Sequence, residues 1–170
     1  MLKQFLILII LVCSGMTLKA SHAMGADMTY ECLGGDTYRL IMTFYRDCNG
    51  ISAPSSVGID MVSSCGQSIY TTLSRTPGTG NEISPICPTF NTTCSGGSYT
   101  GVEKYEYTAV VDLSACDQWT FSYDVCCRNS SINTISSPGS SDMYVFAYVA
   151  FVVLVVTVCS QNLIVTLEGR

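Results

Sequence analysis

The sequence predicts an all-β protein: a disulfide-stabilised antiparallel β-sandwich with an apolar segment at each end. Three observations carry the prediction. The centre of the chain alternates apolar and polar residues with the period of strands, in short runs separated by turn residues. No amphipathic pattern of helical period persists for ten residues. Ten cysteines in 170 residues point to a disulfide framework and an oxidising compartment.

The strand runs follow in order. Met28–Cys32 alternates, Gly34-Gly35-Asp36 turns, and Tyr38–Arg46 returns, which reads as a β-hairpin. Val57–Val62 and Gln67–Leu73 form a second pair around Ser63–Gly66. From Pro77 to Gly101 the chain carries Pro77, Pro85 and Pro88 among Gly, Ser, Thr and Asn, the composition of a loop. Val102–Leu113 is the longest strand candidate. In Gln118–Cys127, the side chains of Trp119, Phe121, Tyr123 and Val125 share one face. Six short strands of this kind suit an immunoglobulin-like or jelly-roll-like sandwich.

The ends differ from the centre. Lys3 precedes eight consecutive apolar residues, Phe5–Val12, and small residues follow at Ala20, Ser21 and Ala23. This layout predicts a signal peptide over residues 1–20 and a cysteine-rich domain over 21–142. Residues 143–167 form an apolar tail whose first seventeen residues, Met143 to Cys159, carry no charge. That length suits a candidate transmembrane helix and membrane association through Met143 to Leu167. Seven valines in the same seventeen residues equally suit buried strands, and an abnormal end of a truncated or frameshifted reading frame is the third alternative.

Composition excludes several chemistries. The mean hydropathy is +0.34 and charged residues make up 12% of the chain, against a polar disordered protein. Residues 21–142 hold five basic and twelve acidic side chains, a net charge of −7. An acidic surface does not neutralise phosphates, so a nucleic-acid partner is excluded. The single histidine, His22, rules out chemistry built on several imidazoles. Neither G-x-S-x-G nor a phosphate-binding loop occurs. Two acid sets could serve a carboxylate hydrolase or bind calcium: Glu103 with Glu106, and Asp112 with Asp117 and Asp124. They fall on strands and turns where solvated acids are ordinary, so the expectation is a non-enzyme without cofactor. Asn91-Thr-Thr and Asn129-Ser-Ser are glycosylation sequons.

The candidate disulfide cysteines are Cys32, Cys48, Cys65, Cys87, Cys94, Cys116, Cys126 and Cys127, enough for four bridges. Cys87 and Cys94 flank a short loop and form the best local pair. Cys126 and Cys127 are adjacent on a predicted strand, so their side chains should diverge and take separate partners. A vicinal redox disulfide is the alternative there. A zinc site lacks both a C-x-x-C pair and a usable histidine. Arg46, Asp47, Arg128 and Asn129 flank cysteines at strand ends, where internal ion pairs or turn bonds are expected.

Several motifs resemble the start of the mature region in large secreted surface proteins of the Bacteroidota. They are Ser21–Cys48 (SHAMGADMTYECLGGDTYRLIMTFYRDC), Ile86-Cys-Pro88, Thr93-Cys-Ser-Gly-Gly97, Gly101–Tyr107 (GVEKYEY) and Trp119–Asn129 (WTFSYDVCCRN). Proteins of that group often carry PKD-type domains and a gliding-motility-associated C-terminal sorting domain. The resemblance covers about 125 residues and ends near Val145, where relatives continue with polar sequence. It implies export, a cell-surface or extracellular place, and a structural or adhesive module with no assigned catalysis; a cell-surface protein or glycan is the expected partner of such an interaction module. A single-pass membrane protein with a ligand- or calcium-binding ectodomain is the second expectation.

Overall fold

A computed structural model describes residues 23–150 and the strand 166–168. The predicted signal peptide, His22, and the greater part of the apolar tail lie outside the described residues. The strands are β1 (Ala23–Gly34), β2 (Thr37–Asp47), β3 (Ser56–Ser63), β4 (Ser68–Arg75), β5 (Asn81–Glu82), β6 (Val102–Asp112), β7 (Gln118–Val125), β8 (Met143–Ala150) and β9 (Thr166–Glu168). Two 3-10 turns, Thr93–Ser95 and Pro138–Ser140, complete the elements.

All nine strands belong to one antiparallel sheet, ordered β1-β2-β6-β4-β3-β7-β8-β9, with β5 beside β6. The first hairpin is the one the sequence predicts. Gly34 and Gly35 take φ of 113° and 57° at its turn, a region that favours glycine. β2 and β6 then pair over eleven residues, from Thr37↔Asp112 to Asp47↔Val102. At the other end of the sheet β1 reaches the segment after β7. Ala23 bridges Arg128, and the Asn129 amide donates to the Ala23 carbonyl at 3.0 Å. The sheet is thus nearly closed into a barrel.

Alternation drives this closure. One face of each long strand is apolar, and those faces meet inside. The interior holds Met28, Tyr38, Leu40, Met42, Ile59, Met61, Leu73, Tyr107, Trp119, Phe121 and Val145, all at most 3% exposed. Burying each large apolar side chain is worth about 1.5–3 kcal/mol. Tyr30 of β1 meets Phe121 of β7 edge-on at 6.4 Å, so opposite walls touch as the layers of a sandwich do. Trp119 is fully buried and its indole N–H donates to the Ser114 carbonyl at 3.0 Å.

Two expectations about element boundaries are corrected. The domain does not end at residue 142, because β8 pairs with β7 from Val125↔Met143 to Gln118↔Ala150. The first eight residues of the candidate membrane helix are therefore a strand. Met143, Val145, Ala147 and Val149 point inward while Tyr144 and Ala150 face out. Branched and aromatic side chains at period two pack on a pleated surface, and that outweighs the absence of charge. No helix among the described residues is long and apolar enough to cross a membrane. Second, the Pro77–Gly101 segment is not wholly loop, since Asn81 and Glu82 add β5 to the edge of β6.

Candidate functional site

The cysteines connect distant parts of the sheet. Cys48, just past β2, bonds Cys94 in the long loop, 46 residues on. Cys65 in the β3–β4 turn bonds Cys116 between β6 and β7, 51 residues on. Cys32 is disulfide-bonded as well. The expected Cys87–Cys94 bridge is corrected, and Cys87 is a free, exposed thiol. The reason is local. Thr92 caps the 3-10 turn by accepting from the Cys94 amide at 3.2 Å, which turns Cys94 towards the sheet. Gly101 leaves room for it there, since a Cβ at Gly101 would stand 2.3 Å from the Cys94 sulfur. The separate partners expected for Cys126 and Cys127 are also corrected, because the two cysteines bond each other. The strand stops at Val125 and Cys127 takes φ of 78°, so strand alternation does not apply there.

A polar corner forms where β2 ends and β6 begins. Arg46 is ion-paired with Glu103. Its guanidinium also donates to the carbonyls of Ile51, Gly50 (2.8 Å) and Cys48 (3.3 Å). Glu103 accepts from the Tyr105 hydroxyl at 2.8 Å. Burial, and next the bond to Glu103, push the Tyr105 phenol above its ordinary range. Asp47 is 6% exposed and accepts from the Asn49 amide at 2.9 Å and from the Asn129 side-chain amide at 2.6 Å. Asn129 is 1% exposed and in turn accepts from the Ser131 amide at 2.7 Å. Arg128 donates to the Asp142 carbonyl at 3.0 Å. The two cysteine-flanking motifs, Arg46-Asp47-Cys48 and Cys127-Arg128-Asn129, thus meet in space. Their polar side chains bond to backbone carbonyls and, at Asp47 and Asn129, to each other. The sequon at Asn129 is buried with its amide engaged, whereas Asn91 is exposed.

On this corner rests the long loop. Glu82 accepts from the hydroxyls of Thr92 (2.5 Å) and Ser84 (2.7 Å), and those two bonds hold its carboxyl below the usual range. The Ser84 hydroxyl accepts from the Val102 amide at 2.9 Å, and Thr93 accepts from the Gly101 amide at 3.0 Å. The loop is therefore tied at both ends and covalently at Cys94. It presents Phe90 and Tyr99, each 49% exposed, with ring centroids 5.0 Å apart. Sequence reasoning missed this pair. The signal was there, as two aromatic residues in a segment otherwise rich in Ser, Thr, Asn and Gly.

The acids singled out from the sequence are not brought together. Glu103 and Glu106 are three apart on β6 and so face opposite sides. Asp112 accepts from the Thr37 hydroxyl at 2.6 Å, and Asp117 and Asp124 are exposed. Among the described residues no group of three or more His, Cys, Asp or Glu side chains is placed to hold a metal ion. What this arrangement can do is present a fixed apolar, aromatic surface. Comparison with protein families, with curated proteins and with solved structures finds no match to this chain.

Proposed function

We propose that the chain is an exported, non-enzymatic β-module that binds a protein or glycan at the cell surface in a structural or adhesive role. The observation that carries this reading is the exposed Phe90–Tyr99 pair on a loop locked to the sheet by Cys48–Cys94. Aromatic rings supply large contact area at little cost in conformational entropy, and a loop already fixed loses little more on binding. Several disulfides are compatible with an oxidising, extracellular setting. The resemblance to secreted Bacteroidota surface proteins supports the same place and class of role.

Two measurements test it. Cell fractionation with protease accessibility should find the chain outside the cytoplasm. Surface-displayed chain should adhere to cells or to a glycan array, and replacing both rings (F90A/Y99A) should abolish adhesion. Treating the target with glycosidase or with protease then separates a glycan from a protein ligand. A reduced, cytoplasmic chain, or adhesion untouched by the double substitution, would overturn the reading.

A further inference from the structure

The vicinal disulfide stands at the seam where the sheet closes. β7 and β8 pair as far as Val125↔Met143. Beyond that point the amides of Cys127 and Arg128 both donate to the Ser141 carbonyl, at 3.2 and 3.1 Å. Two successive amides facing one carbonyl mark a β-bulge, which bends its strand. The bend carries the chain away from β8 and towards β1. There Arg128 bridges Ala23, and the Asn129 amide donates to the Ala23 carbonyl at 3.0 Å. The Asn129 side chain donates to buried Asp47 at 2.6 Å. At the centre of the bend is Cys127, with φ of 78°. A residue with a Cβ rarely takes that conformation, and keeps it only where its surroundings hold it. The Cys126–Cys127 bond supplies the hold, because it closes a ring through the peptide between the two residues and restricts the backbone of both.

We propose that Cys126–Cys127 is a redox latch on this seam. Oxidised, the ring keeps Cys127 left-handed and the seam closed. Reduced, Cys127 is free to leave that conformation, the bulge relaxes, and the contacts of Asn129 with Ala23 and Asp47 open more often. The latch is separable from the two long mapped bridges. Those close 46 and 51 residues, whereas this pair closes one. A bridge that stabilises the fold is held by the fold in equal measure, so the long bridges resist reduction and the vicinal pair does not. Cys126 is exposed, which opens it to a thiol. The reductant is a dithiol, as a small molecule or in a protein. One of its thiolates attacks the Cys126 Sγ, the Cys126–Cys127 bond breaks, and Cys127 leaves as a thiolate that takes up a proton. The second thiol of the reductant then displaces Cys126 from the mixed disulfide, and Cys126 takes up the other proton. The reductant ends as a disulfide, and two electrons and two protons have passed to the pair.

Amide hydrogen exchange on the full chain, in buffers of graded reduced-to-oxidised dithiothreitol ratio, tests the latch, with alkylation mapping of the cysteines at each ratio. Cys126 and Cys127 should become alkylated at ratios that leave Cys48–Cys94 and Cys65–Cys116 linked. At those ratios the amides of Arg128 and Asn129 should exchange severalfold faster, while those of Leu40 and Met42, inside the paired β2, keep their rates. Reoxidation should restore the slow rates. Two variants separate the ring from the conformation it holds. C126A/C127A should show the fast rates at every ratio. C126A/C127G should show slow rates at every ratio, because glycine takes a positive φ without the ring. The latch is overturned if the Asn129 amide exchanges equally in both states of the pair, or if the β2 amides quicken with it. It is equally overturned if the long bridges are reduced before the pair or together with it, or if C126A/C127G exchanges as fast as C126A/C127A.

Discussion

Removing a cross-link tests the role assigned to the cysteines, because the three mapped bridges differ in the length of chain they close. Cys48–Cys94 spans 46 residues, Cys65–Cys116 spans 51, and Cys126–Cys127 spans one. A disulfide acts largely by restricting the unfolded chain, and the restriction grows with the logarithm of loop length. For loops of these sizes the chain-entropy relation gives about 4 kcal/mol at room temperature for each of the two long bridges. A one-residue loop removes almost no freedom, so the vicinal pair should contribute less than about 1 kcal/mol. The perturbation is pairwise replacement, C48A/C94A, C65A/C116A and C126A/C127A, each in an otherwise oxidised chain. Urea unfolding followed by Trp119 fluorescence reads the result, since Trp119 is fully buried in the folded chain. The two long-range variants should lose several kcal/mol each and the vicinal variant should stay near the parent. Losses below about 1 kcal/mol for both long-range variants, or an equal loss for the vicinal one, would refute the reasoning.

Further outcomes follow from the same geometry. Asn129→Ala removes the 2.6 Å donor to buried Asp47 and should cost about 2 kcal/mol in urea unfolding, with Asn129→Asp worse because it places two carboxyls together. Burial pushes the Tyr107 phenol from its usual 10.0 up to about 12, and its hydroxyl donates to the Pro54 carbonyl at 2.9 Å. Its stabilising contribution is therefore complete below pH 10 and falls as pH rises towards 12. Tyr107→Phe should remove that part of the alkaline loss and a late step in tyrosinate absorbance. The F90A/Y99A variant should change stability by less than about 0.5 kcal/mol per ring while abolishing adhesion, since both rings are half exposed.

Strands with a polar face were legible in the sequence because one side is wet. Tyr38–Arg46 and Val102–Leu113 lie within a residue of their observed bounds. β8 was ambiguous for the opposite reason. Met143–Ala150 carries no charge on either face, so period two competes with a continuous apolar run. Disulfide partners were not legible, since Cys48 and Cys94 meet through β2–β6 pairing and the packing of the long loop, not through spacing. Cys126 and Cys127 misled because alternation was extended two residues past the end of β7. The Asp47–Asn129 contact joins residues 82 apart, beyond any local signal, although both motifs stood out by composition. The loop aromatics depend on how the long loop is tied to the sheet at Ser84, Thr93 and Cys94, contacts that spacing along the chain does not reveal.

The central claim is a β-sheet module cross-linked outside the cytoplasm. Peptide mapping by mass spectrometry under non-reducing conditions, on chain recovered from the cell surface or medium, tests it most directly. The account predicts linked peptides joining Cys48 to Cys94 and Cys65 to Cys116, with Cys87 open to alkylation. A chain found in the cytoplasm with those four cysteines alkylated as free thiols would contradict it.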